Sequence, residues 1–179
     1  GEKDIQGASK ELKLAVSEYP PFVSAHNQLG VLYLRLNEFD RAEEAFKAAI
    51  KINPDAYEPL LNRGIALYRL GKFKDAESMF RKTLKVKPDS SVSHYYLGRT
   101  FNKLGRNEEA ETSLLACLKM NPNDFKEAHR VLAAIYLDRG ALPRVIEELE
   151  TYLKVVPTAP DADNLRKVIE QSKRALGRE

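Results

Sequence analysis

The chain is poor in the residues that most often announce chemistry. Among 179 residues there is no tryptophan, one cysteine, two methionines and three histidines. With Cys117 alone, an intrachain disulfide is excluded, and this usage suits a reducing compartment, the cytoplasm ahead of the periplasm or the exterior. No apolar run approaches the roughly 18 residues that cross a bilayer, and the opening GEKDIQGASK lacks the hydrophobic stretch of a signal peptide. Membrane insertion is not expected. Residue 1 is glycine rather than methionine, so a piece of a longer chain is expected, and a removed leader would leave a periplasmic or secreted location open. Block charge is missing too. The 29 basic and 26 acidic residues leave a net charge of +3, with no run of five like charges to serve as a nucleic-acid arm, so nucleic acid is not an expected partner.

Catalytic signatures are equally scarce. The sequence holds no GKS or GKT phosphate loop, no GxGxxG, no HExxH, no CxxC and no GxSxG. We therefore expect no enzyme, no cofactor and no metal. The acidic pairs Glu43 with Glu44 and Glu147 with Glu148 read as solvated helix faces.

What is present is a repeat. The histidines sit in AHNQLG (25–30), SHYYLG (93–98) and AHRVLA (128–133), and aligning them reveals a period of 34. Gly30, Gly64 and Gly98 obey it, as do Ala42, Ala76 and Ala110, and Pro54, Pro88 and Pro122. One extra residue near Asn123 shifts the register, which resumes at Ala133, Val145 and Pro157. Four units follow, at 23–56, 57–90, 91–124 and 126–159. In the first, Leu29, Leu32, Tyr33 and Leu36 share one helical face, and Ala42, Ala45, Phe46, Ala49 and Ile50 share another after a turn. Each unit is thus two helices. Asn37, Gly71, Gly105 and Gly140 stand at the turns, where a residue tolerant of positive φ ends the first helix. A proline closes each second helix. Asp55 and Asp124, with Glu58 and Glu127 three residues on, read as N-caps of the helices that follow, and Pro143 falls in the first turn of a second helix.

The set Leu29, Gly30, Tyr33, Ala42, Phe46, Pro54, repeated as Gly64, Ala76, Phe80, Pro88 and as Leu97, Gly98, Phe101, Ala110, Leu114, Pro122, resembles the tetratricopeptide repeat (TPR). The resemblance covers residues 23–159. It implies an all-α fold, a right-handed superhelical solenoid of antiparallel helix pairs. Gly30, Gly64, Gly98 and Ala133 would admit the paired helix closely, with Phe46, Phe80, Leu114 and Leu149 filling the gap. Arg63, where the family usually has leucine, and Val145, in place of alanine, depart from the pattern. Residues 8–20 align with a second helix whose partner is absent, so 1–22 reads as the remnant of a preceding repeat with an uncovered apolar face. Residues 160–179 read as a capping helix. His26, His94 and His129 share one slot of their units. Helices about 8–10 Å apart cannot bring His26 and His94 to one metal at about 2.0–2.1 Å, so a packing role is expected. Cys117 occupies the slot of Ala49 and Thr83 and reads as a packing residue.

The resemblance also implies a concave groove lined by the first helices, where the family generally binds peptides or partner segments. Register places Asn27, Val31, Arg35, Leu61, Asn62, Ile65, Tyr68, Arg69, Tyr95, Tyr96, Arg99, Lys103 and Arg130 there. The cations would receive a carboxylate or an acidic side chain, and the tyrosines offer rigid contact area. The clamp by which some TPR domains hold the C-terminal carboxylate of chaperones would fall at Asn27, Val31, Asn62, Val92 and Tyr96. Only Asn62 matches it, so a chaperone tail is not expected. The leading expectation is a non-catalytic protein-interaction scaffold binding a partner peptide in its groove. The alternatives are a structural spacer that self-associates through residues 8–20, or an accessory arm of a larger enzyme.

Overall fold

The computed structural model describes the backbone of residues 2–177 and the side chains of residues 7–177. Ten helices and no strand occur among the described residues. Helix α1 (Glu2–Glu18) precedes four pairs: α2 (Val23–Arg35) with α3 (Phe39–Ile52), α4 (Tyr57–Arg69) with α5 (Phe73–Val86), α6 (Ser91–Lys103) with α7 (Asn107–Met120), and α8 (Glu127–Asp138) with α9 (Leu142–Val155). Helix α10 (Ala162–Ala175) follows. Every helix packs on its neighbours in the chain, and α2, α4, α6 and α8 also touch in succession. A stack that contacts only its neighbours is the architecture of a solenoid.

The turn inside each pair is built the same way four times. Asn37, Gly71, Gly105 and Gly140 take φ of 58°, 75°, 73° and 68°, the left-handed region that ends a helix. The residue after each sends its N–H back to the last turn: Glu38 to Tyr33, Lys72 to Leu67, Arg106 to Phe101 and Ala141 to Tyr136, all at 2.9 Å. These double-bonded caps satisfy carbonyls that a bare helix end would leave open. Helix starts differ from expectation. Helix α4 begins at Tyr57 and α8 at Glu127, so Asp55 and Asp124 lie outside the cap position and cap nothing. Asn53 Oδ1 instead accepts the Asp55 N–H at 3.1 Å, and Asp124 accepts from Asn121 at 3.3 Å. Ser90 does cap α6, accepting the Ser93 N–H at 3.1 Å.

Close approach inside the pairs depends on small residues. A Cβ placed on Gly30 would fall 2.5 Å from the Phe46 ring, on Gly64 2.5 Å from Phe80, and on Gly98 2.7 Å from Leu114. Phe46, Phe80 and Leu114 are fully buried, and in the last pair Ala133 and Leu149 are buried in the same roles. Val145 is fully buried, as are its counterparts Ala42, Ala76 and Ala110. Cys117 is fully buried too, and burial pushes its thiol up to about 12, which fits packing rather than reactivity. Between the second and third pairs the hydroxyls form a chain. Tyr57 Oη lies 2.5 Å from Ser90 Oγ, Ser90 Oγ 2.8 Å from Ser93 Oγ, and Thr83 Oγ1 2.9 Å from Ser93 Oγ.

The two ends are finished differently. On α1, Leu12 and Val16 pack against the cluster containing Leu29 and Phe46, but Leu14, and Tyr19 and Phe22 in the link to α2, stay exposed. On α10, Ala162, Ile169 and Ser172 are buried, while Asp163, Arg166, Lys167 and Glu170 point outward. Those four stand 34 residues after His129, Leu132, Ala133 and Tyr136, where a complete unit would meet its second helix. Charges there make α10 a polar terminus.

Candidate functional site

The first helices in succession make one wall, and its two halves differ in charge. In the N-terminal half, Asn62 Nδ2 donates to Asn27 Oδ1 at 3.1 Å. Val31, Leu61 and Ile65 are half-buried, packed on the core with one side left to the wall. Tyr68, Tyr95 and Tyr96 meet edge-on, with ring centroids 6.1 Å apart for Tyr68 and Tyr96 and 5.4 Å for Tyr95 and Tyr96. Tyr96 also stacks on buried Phe80 at 5.6 Å, and Phe125 from the lengthened loop before α8 packs on Tyr95 at 5.1 Å. The tyrosines are therefore packed on one another and on the core.

Arg99 is held by this cluster. Its guanidinium carbon lies 5.0, 5.3 and 5.9 Å from the centroids of Tyr68, Tyr95 and Tyr96, within cation–π range. Burial pushes the Tyr95 hydroxyl above its ordinary value and the Arg99 charge offsets this only in part, so Tyr95 remains a donor. Arg35, Arg69 and Lys103 occupy the last turns of α2, α4 and α6, exposed, where they also complement the helix dipoles. Among the described residues, Arg35, Arg69, Arg99 and Lys103 have no carboxylate within ion-pair distance.

The C-terminal half has no such surplus. Arg130 is paired with Asp161 at 2.5 Å and Glu127 at 3.3 Å, and lies 5.2 Å from the Tyr152 ring, whose hydroxyl donates to Glu127 at 3.1 Å. Its charge is spent inside the chain. Asp138 stands in the slot that Arg35, Arg69 and Lys103 fill elsewhere. Here a cleft of about 490 Å³ opens between α6 and α10, with Ala133 and Ala134 of α8 at its centre, Val145 and Leu149 of α9 behind them, and Leu165 and Val168 of α10 as the far side. Sequence reasoning missed this contribution of α10. Adding 34 to Val131 and Ala134 yields Leu165 and Val168, so the signal was in the register.

The opposite edge of the stack carries a second row that sequence reasoning also missed. Glu43, Glu77 and Glu111 recur at 34 and are only 13%, 16% and 17% exposed. Glu43 binds Arg63 at 2.7 Å and Lys72 at 3.5 Å, and Glu77 binds Arg106 at 2.7 Å. Glu111 takes Arg139 at 2.5 Å, Arg144 at 3.0 Å and the Tyr136 hydroxyl at 2.9 Å. Each carboxylate thus ties its unit to the next. The solvated reading of the acidic pairs is corrected for one member of each. Glu43 is in this row, and Glu148 lies in hydrogen-bond contact with His129 Nδ1 at 2.6 Å, whereas Glu44 and Glu147 are exposed. Arg63, the departure from the family pattern, is explained by Glu43. His26 and His94 reach back to the carbonyls of Pro20 and Pro88 at 2.8 and 3.2 Å. Among the described residues no three His, Cys, Asp or Glu side chains are grouped to hold a metal.

The sequence of residues 20–140 matches a family described as the cilia and flagella-associated protein 70 middle TPR-like domain. The chain belongs to this TPR-like family. No curated protein sequence matches it. The fold is shared with TPR proteins of known structure. MamA superposes with a TM-score of 0.81 at 17% identity, over 87% of this chain and 91% of that one. PilW, described as a widely conserved type IV pilus biogenesis factor, gives 0.80 at 24% identity over 99% and 80%. YrrB, described as a TPR protein with an unusual peptide-binding site, gives 0.78 at 18% over 96% and 86%. A TPR fold suggests a protein-interaction scaffold. Among the described residues no helix is long and apolar enough to cross a membrane.

Proposed function

We propose that the chain is a non-catalytic scaffold, an array of four TPR units with α1 before and α10 after, whose inner wall binds a segment of a partner protein rich in apolar and acidic residues. The row of cations that have no carboxylate partner among the described residues, beside a tyrosine and aliphatic floor, carries this reading. Asn27, Val31, Leu61, Asn62 and Ile65 form the floor, Tyr68, Tyr95 and Tyr96 the aromatic contacts, and Arg35, Arg69, Arg99 and Lys103 the hydrogen-bond donors to a partner's carboxylates. An unpaired guanidinium already held by aromatic rings loses little freedom on meeting a carboxylate. A folded chain normally answers its partly buried charges internally, as the opposite edge of this one does, and half-buried Arg99 departs from that rule. Peptide binding by YrrB is consistent with such a role for the fold. Pull-down from a peptide library, with Arg69, Tyr95 and Arg99 changed together to alanine, tests it. Loss of the bound peptides is expected, and unaltered binding would remove the groove from the account.

A second reading rests on the exposed Leu14, Tyr19 and Phe22 of the N-terminal segment. Here residues 8–20 serve self-association or docking to a neighbouring domain. Sedimentation with and without residues 1–22 decides it, loss of a dimer on truncation supporting the assembly role.

A further inference from the structure

We infer that the inner wall is bipartite: the cleft beside Ala134 is an anchor pocket for two large apolar side chains of the partner segment, and acidic residues of that segment run from the anchor toward α4 and α2. This rests on the wall being a binding surface, and it adds where the partner is gripped and which way it lies.

The pocket has a cause in the sequence. At one groove-facing position the units carry Val31, Ile65, Arg99 and Ala134, so α8 alone offers a methyl group where the others offer large side chains. Ala134 is exposed, and with so small a side chain there the cleft reaches down to α9, where Val145 and Leu149 line it while staying buried. Helix α10 then closes the far side with Leu165 and Val168. At about 490 Å³ the cavity falls in the range of about 300–1,000 Å³ typical of sites for drug-sized ligands, more than a single side chain needs. It has room for two neighbouring apolar side chains.

Charge sets the direction. At the α10 side, Arg130 is neutralised by Glu127 and Asp161, and Asp138 replaces the cation of the earlier units. At the α6 side, Arg99 lines the pocket itself with no carboxylate partner among the described residues, and Arg69 and Arg35, likewise without one among them, continue the row one and two units away. A carboxylate placed toward α10 would face Glu127 and Asp161. One placed toward α6 would meet Arg99 and then Arg69.

The test is selection from a phage-displayed random peptide library on the full chain, followed by binding of the selected peptides to variants checked for native helicity. Ala134→Leu fills the pocket, Ala134→Asp puts a carboxylate in it, and both sit at an exposed helical position. The pair Arg35→Glu with Arg69→Glu reverses the remote charges. The expected peptides carry two apolar residues followed or preceded by Asp or Glu on one side only. Both Ala134 variants should weaken them on the order of tenfold, and the charge reversal should weaken them independently. Peptides sensitive to the charge reversal but indifferent to both Ala134 variants would overturn the pocket and leave the groove standing. Sensitivity at Ala134 without sensitivity at Arg35 and Arg69 would overturn the bipartite arrangement. Peptides indifferent to every variant would sink the groove reading along with this one.

Discussion

Cations line both edges of this solenoid, and they live under opposite conditions. On the outer edge Arg63, Lys72, Arg106, Arg139 and Arg144 meet carboxylates that recur every 34 residues. On the inner wall Arg35, Arg69, Arg99 and Lys103 meet tyrosine rings, helix ends and solvent. The same residue types thus sit in two settings. Outer pairs join one unit to the next and contribute stability, whereas inner cations contribute little to the fold and remain open to a carboxylate from elsewhere.

Removing an outer carboxylate is the strongest way to probe the contrast. Glu111→Ala takes the shared partner from Arg139, Arg144 and Tyr136 and should cost about 1–2 kcal/mol in urea unfolding, with peptide binding at the inner wall unchanged. Somewhat smaller is the cost of restoring the family's usual residue. Arg63→Leu, stabilising if consensus were the whole story, should instead cost about 1 kcal/mol, because Glu43 is left with Lys72 alone. Acid should act through the same row. Burial raises the Glu43 and Glu111 carboxyls, but the hydrogen bonds and charges of their partners, Arg63 and Lys72 for one and Tyr136, Arg139 and Arg144 for the other, outweigh it and leave both below the ordinary value. Their contribution is therefore present above the unfolded-state value and is lost as pH falls through the lower folded-state value. Melting temperature should drop as pH is lowered through the carboxylate range, and the Glu43→Gln, Glu111→Gln double variant should flatten that drop. The smallest effect on stability belongs to the inner wall. Arg35→Ala, Arg69→Ala and Lys103→Ala should each stay within about 0.5 kcal/mol while lowering affinity for acidic peptides and the salt dependence of binding. A large stability loss there would erase the distinction between the edges.

The sequence made the repeat legible because a 34-residue period repeats the same packing problem, and Gly30 with Phe46 or Gly64 with Phe80 solves it with residues of unmistakable size. Turn residues were equally readable, since Asn37 and three glycines are the types that accept positive φ. Helix starts were not. Asp55 and Asp124 are good capping types, yet the chain enters α4 and α8 after them, and a neighbouring asparagine takes over the local bonding. Pairing across units was hidden for another reason. Whether Glu43 or Glu44 turns toward the next unit depends on the rotation of α3 against α4, which a charge pattern within one helix does not encode. Register puts Arg130 on the wall with the other cations, but its partner Asp161 comes from beyond the last unit, where the repeat pattern does not reach. The part played by α10 was readable from the register but obscured by its charged outer face, which reads as a cap and nothing more.

The central claim is that the inner wall, and not the outer edge, is the face left for a partner. Amide hydrogen exchange of the chain with and without a library-selected peptide measures it most directly. Added protection should concentrate in α2, α4, α6, α8 and α10, with α3, α5 and α7 unchanged. Protection confined to the second helices, or to α1, would contradict the account.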